Sequence, residues 1–254
     1  MINRKYIISS LYDAFKNDDR IHAMWLEGAD ANNMLDDYSD INICVRVDAG
    51  FDTGIFLLTE KCLSAISDID HRHTEEDTDP AVRRCLYHLA GSHEYLMIDL
   101  FVRLHSSDAE QLRFISGSAF RPVKVLFDKT DCIRFVPYNK ADYSAAHGLL
   151  IDEYLHRYSQ HGRVKKYLMR GDFLEAYSCY IRYVFEPLVG LLRIIYTPES
   201  ASGSLLQISH QIPEQALSRL ARFVKIGSIQ DIFDLIPHAE EWFCELLKQI
   251  RETE

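Results

Sequence analysis

Three side chains in this sequence could do chemistry together: Asp40 and Asn42 in Ser39-Asp40-Ile41-Asn42-Ile43, and Asp99 in the apolar run Tyr95-Leu96-Met97-Ile98-Asp99-Leu100-Phe101. Residues two apart on a strand share a face, so Asp40 and Asn42 project side by side. An ionised carboxylate among apolar neighbours is costly to bury unless it pairs or binds a cation. On adjacent strands the three would offer oxygen donors suited to magnesium, which prefers carboxylates and substrate phosphates. Gly28, in Trp25-Leu26-Glu27-Gly28-Ala29-Asp30, adds a turn whose backbone amides, that of Ala29 included, can approach phosphate oxygens closely. The set describes a device for holding a metal-bound nucleoside triphosphate. For Asn42 a second reading stands beside the first, a structural amide that hydrogen-bonds the loop.

The elements that must position these residues follow from periodicity. Residues 22–27 (HAMWLE) read as a strand ending at Gly28, and residues 39–47 (SDINICVRV) as a second. Ile7, Leu11, Ala14 and Phe15 form the stripe of an N-terminal amphipathic helix. Ile55, Leu58, Cys62, Ala65 and Ile66 recur at helical spacing and predict a crossover helix over 53–67. A charged loop, DIDHRHTEEDTDP, comes next. Residues 82–90 and 95–103 predict two antiparallel strands joined through Gly91-Ser92-His93-Glu94, and residues 123–127 a last short strand. Beyond Pro137 the pattern turns helical, with amphipathic segments at roughly 140–169, 172–196, 213–225 and 228–251. The expected fold is α+β: a small mixed-sheet domain over 1–137, followed by an all-α helical bundle over 138–254.

In order and spacing, Gly28-Ala29, Asp40-Ile41-Asn42 and Asp99 resemble the signature of the nucleotidyltransferase superfamily of the DNA-polymerase-beta type. That signature is a Gly-Ser turn, an Asp-x-Asp strand and a third Asp on a later strand. The phrases WLEGADA, DDYSDINI, VKVLFDK, RGDFLEA and YVFEPLVGLLRIIYTP are similar to bacterial aminoglycoside and lincosamide nucleotidyltransferases and their uncharacterised relatives. The resemblance implies transfer of a nucleoside monophosphate, most simply AMP from ATP, to a hydroxyl of a small molecule, with Mg2+ assisting attack at the α-phosphate. It assigns Asp40 and Asp99 to catalysis, Asp40, Asn42 and Asp99 to the metal, and Gly28 and Ala29 to the nucleotide.

It also implies that the helical half covers the nucleotide, where Lys166 and Arg170, four apart on one helical face, would meet the triphosphate. Tyr177 and Arg182 follow on the next helix. Two positions depart from the pattern: Ala29 lacks the hydroxyl of the usual serine, and Asn42 offers a neutral amide in place of a second carboxylate. Glu27, Asp30, Asp36 and Asp37 border the site, and Asp99 or Glu94 is the nearest general base for an acceptor hydroxyl. A second functional reading is therefore a nucleotide-binding or regulatory protein that has lost catalysis along with a metal ligand at Asn42.

The 254 residues are 47% hydrophobic and carry a formal charge of -10, which suits a soluble globular chain and argues against binding along a nucleic-acid backbone. Negative charge instead favours a cationic small-molecule acceptor, such as an antibiotic. The N-terminal segment has no continuous apolar signal region and no stretch is apolar enough to span a bilayer, so the expectation is a cytoplasmic protein without a membrane partner, a monomer or homodimer. The dispersed cysteines at 44, 62, 85, 132, 179 and 244 read as reduced, mostly buried thiols. His71-Arg72-His73, beside Glu75, Glu76, Asp77 and Asp79, matches no defined metal spacing and reads as a solvated loop.

Overall fold

The apolar stripe near the N-terminus becomes helix α1 (Arg4–Lys16), which buries Ile7, Leu11 and Phe15 one turn apart. The Asn3 side chain caps it, accepting from the Lys5 amide at 2.9 Å. The computed structural model describes residues 2–32, 34–76, 79–105, 111–118 and 120–253. It divides into two units, Met1–Pro137 and Tyr138–Glu254.

In the first unit α1 is followed by β1 (Ile21–Glu27), the single-turn α2 (Ala29–Asn32), β2 (Ile41–Asp48), α3 (Asp52–Ser64), β3 (Ile69–Glu76), β4 (Val82–Leu89), β5 (Ile98–His105), β6 (Leu112–Ile115), β7 (Val123–Asp128) and β8 (Ile133–Val136). Six strands form one mixed sheet in the order β3-β4-β5-β2-β1-β7. Only β2 and β5 pair parallel; the other neighbours are antiparallel.

One face of this sheet supplies Met24, Leu26, Ile41, Ile43, Val45, Ile98, Leu100 and Val102 to a core shared with α1 and α3. On the other face Ala23, Trp25 and Cys44 pack with Phe114, Cys132 and Ile133 of the small β6-β8 sheet region. Strand β2 is thus covered on both sides, which is why INICVRV reads as an almost continuous apolar run.

Two sequence expectations change in this unit. The charged run around His71 is not a loop but edge strand β3, paired antiparallel with β4. Its side chains at 71–74 are exposed, so no apolar alternation marks it. Asp77 lies outside the described residues. Residues 123–127 are not the last strand, because β8 follows, and β6 precedes them. Each of these two has four residues, too few for a periodic signal.

The second unit is helical: α4 (Lys140–Tyr158), α5 (Gly162–Arg170), α6 (Phe173–Tyr180), α7 (Glu186–Tyr196), α8 (Glu214–Leu220) and α9 (Ile229–Thr253). The segment expected at 140–169 is two helices, and that at 172–196 is α6 and α7 joined by a π turn at Ile181–Phe185. The core stacks Tyr158 on Phe243 with ring centres 3.9 Å apart, and the buried Tyr180 hydroxyl donates to the Phe223 carbonyl at 3.0 Å. Among the described residues no helix is long and apolar enough to cross a membrane.

Candidate active site

Strand β1 ends at Gly28, whose φ of +69° lies in the left-handed region. A β-carbon there would sit 3.0 Å from Nδ2 of Asn42, so conformation and space both call for glycine. Glu27 is the register partner of Asn42, and Asn42 of Asp99. Partners share a face, so the C-terminal end of β1 and the N-terminal ends of β2 and β5 bring these side chains into one row. Asp40, exposed just before β2, accepts from Nδ2 of Asn42 at 3.0 Å. Gly28, Asp40, Asn42 and Asp99 therefore meet at one end of the sheet.

The approach to β2 is held from a distance. Arg4 on α1 donates to a carboxylate oxygen of Asp30 at 2.6 Å, to the Asp40 carbonyl at 2.9 Å, and to the Ser39 carbonyl. Burial pushes the Asp30 carboxyl above its ordinary pKa, a rise opposed by Arg4 and Lys124. Within the loop the Ser39 hydroxyl and the Tyr38 amide donate to Asp36, at 2.7 and 3.0 Å, and hold that carboxyl below its usual range. Asp37 is exposed.

Glu27 is engaged from two sides. Trp25 Nε1 donates to it at 2.9 Å, and Arg121 donates through Nε at 2.9 Å and Nη2 at 3.0 Å. Burial alone would raise its pKa, but the hydrogen bonds and charge of Arg121, with Trp25 and Cys44, bring the net position below the ordinary value.

Asp99 has a side chain only 4% exposed. Arg84 on β4 donates to it with both edges of its fork, Nε to Oδ1 at 2.8 Å and Nη2 to Oδ2. The same guanidinium donates to Glu75 on β3 and lies 4.7 Å from the ring centre of Phe101. Hydrogen bonding to Asp99 drives the Arg84 pKa further up.

This donor set does not fit a divalent cation. Both Asp99 oxygens are occupied by Arg84, and Asn42 turns an N–H toward Asp40, leaving Asp40 as the one exposed carboxylate of the three expected ligands. Among the described residues no group of three His, Cys, Asp or Glu side chains is placed to hold a metal, the His71–His73 run included.

Glu94 is exposed in the connection to β5. Beside it Tyr95, and across from it Tyr38, form a tilted pair with ring centres 5.3 Å apart, and they are 45% and 70% exposed. In the second unit Lys166 and Arg170 are exposed on α5, each over the ring of Tyr167. Tyr177 is partly exposed on α6, and Arg182 lies over Tyr183.

Arg84, Arg121, Arg4 and the Tyr38–Tyr95 pair escaped the sequence reading. The signal for Arg84 was an arginine inside the strand-like run VRRCLYHL, where a charge needs a partner, but nothing local names that partner.

No family model matches the chain, and no curated protein does. Among solved structures it is similar to an aminoglycoside 6-adenyltransferase from Bacillus subtilis, at 15% identity and a TM-score of 0.38 over 99% of this chain and 91% of that one. It is similar to a spectinomycin adenyltransferase from Enterococcus faecialis, solved with ATP and spectinomycin, at 11% identity and a TM-score of 0.34 over 97% and 90%. A third is JHP933 from Helicobacter pylori, at 15% identity and a TM-score of 0.26 over 100% and 98%.

Proposed function

We propose that the end of the sheet formed by Gly28, Asp40 and Asn42 is a nucleoside-triphosphate site of the nucleotidyltransferase type, with ATP as the first candidate. The observation that carries it is the Gly28 turn, a left-handed glycine closed against the Asn42 side chain with the Asp40 carboxylate beside it. The amides of Gly28 and Ala29 receive phosphate oxygens in this reading, and the exposed rings of Tyr38 and Tyr95 offer a stacking surface for a base or acceptor. Lys166 and Arg170 are assigned to the triphosphate by the sequence resemblance alone.

The reaction assigned to the site is transfer of AMP to a hydroxyl of a small, cationic acceptor, an antibiotic being the natural class to try. The acceptor oxygen bonds to the α-phosphorus, the bond to the bridging oxygen breaks, and pyrophosphate leaves. The hydroxyl proton passes to Asp40, the exposed carboxylate of the set. No step is assigned to a metal.

One observation favours the alternative, a nucleotide-binding protein without turnover. Asn42 and the Arg84–Asp99 pair together remove two of the three carboxylates that the resemblance calls for. Pyrophosphate release across a panel of hydroxylated antibiotics, run beside thermal unfolding with each nucleoside triphosphate, separates the readings. Release with one acceptor establishes the transferase. A raised Tm without release establishes the binding protein, because a ligand that prefers the folded state must stabilise it. The absence of both responses would refute the nucleotide site.

A further inference from the structure

We infer that Arg84 is a built-in cation that takes the electrostatic place of a metal ion, so that this site accepts the phosphates of its nucleotide without a divalent cation. The inference rests on the nucleotide reading for its ligand, but the exclusion of metal stands on the side chains alone.

A carboxylate ligates through its oxygen lone pairs, and the planar guanidinium fork of Arg84 engages one on each oxygen of Asp99, placing a fixed positive charge at the edge that a cation would approach. The fork is not an adaptable surface group. Glu75 holds its far nitrogen, the Phe101 ring flanks its plane, and the register of β3, β4 and β5 pairs Glu75 with Arg84 and Arg84 with Phe101. Swinging Arg84 aside to admit a metal would break both prongs to Asp99 and the bond to Glu75, and would leave the guanidinium without the buried carboxylate that now holds it.

The charge balance agrees. Asn42 contributes none, Arg84 offsets one of the two carboxylates that it holds, Asp99 and Glu75, and among the expected ligands Asp40 is the carboxylate left without a cation on its side chain. A cation at the expected ligands would therefore meet one unpaired carboxylate, and a phosphate would meet less repulsion than from three bare ones. Three of the five N–H groups of Arg84 point to Asp99 and Glu75, and its side chain is 32% exposed, which leaves two donors for a phosphate in this proposal.

The test titrates Mn2+, read by electron paramagnetic resonance, into the full chain and into Asn42→Asp/Arg84→Gln. The wild-type chain should show no ordered site. The double variant should gain one Mn2+ with affinity raised at least about tenfold, the scale on which metal-site partners act, and adding Asp99→Asn should abolish it. A wild-type Mn2+ site that Asp99→Asn removes would overturn the inference, and this comparison stands even if the double variant does not fold.

A second arm measures the Tm rise given by ATP in EDTA and in excess Mg2+. Equal rises support metal-free binding, and a rise that requires Mg2+ overturns it. If ATP gives no rise in either, the nucleotide reading fails, while the Mn2+ titration still decides whether Arg84 excludes the cation.

Discussion

Arg84 on β4 and Asp99 on β5 form a two-pronged ion pair across neighbouring strands, diagonal in register, in which the acid is almost wholly withdrawn from water. Such a pair gives little net stability over an apolar equivalent, but removal of one partner strands the other. Arg84→Ala should therefore destabilise the first unit by about 3 kcal/mol. In a double-mutant cycle with Asp99→Ala, urea unfolding should show coupling of about 1–3 kcal/mol. Additive losses would mean that the pair carries no mutual energy.

Gly28→Ala places a β-carbon 3.0 Å from Asn42 Nδ2 on a backbone with φ of +69°. The left-handed conformation alone should cost about 1–2 kcal/mol. The nucleotide reading adds a second loss, the Tm rise produced by ATP. Gly91→Ala, at a left-handed glycine with open space around it, should show comparable strain and keep that rise.

Glu27 titrates below the ordinary glutamate range because Arg121 and Trp25 outweigh its burial. A carboxyl depressed in the folded state stabilises at neutral pH, and that stability is lost as pH falls below the unfolded value, roughly 4.3, through the folded one. Acid unfolding followed by circular dichroism should therefore show stability falling over that window. Arg121→Gln should flatten the fall. An unchanged slope would assign the acid sensitivity to other carboxylates.

In the second unit Gly190 on α7 lies under Tyr154 of α4, where a β-carbon would stand 2.2 Å from the ring. Both residues are buried, and the ring would have to shift from its packed position toward the cleft that it lines with Leu150 and Phe185. Gly190→Ala should cost about 1–3 kcal/mol by overpacking, despite the better helix propensity of alanine. A denaturation midpoint at or above that of the wild type would show that the core repacks freely.

Much of the architecture was legible in the sequence because it is written in local periods. The i, i+4, i+8 spacing of Ile7, Leu11 and Phe15 specifies a buried helical stripe wherever that helix docks. The run around Ile43 was expected as a strand, though not as one covered on both faces, and the order of Gly28, Asp40, Asn42 and Asp99 was enough to expect them on neighbouring strands. Strand β3 stayed hidden because its residues 71–74 are exposed at the sheet edge, where no apolar alternation is needed.

What the sequence by itself determined was which residues could form a site and the elements that carry them. Whether Asp99 is free to bind a metal was decided only in the tertiary structure. Its partner Arg84 is fifteen residues away, and Glu75, which fixes that arginine, nine further still. The three meet through strand register, a non-local property set by how β3, β4 and β5 align in the assembled sheet. One residue of slip in β4 would turn Arg84 to the opposite face, where Cys85 and Tyr87 now fill the core, and leave Asp99 without its counter-charge.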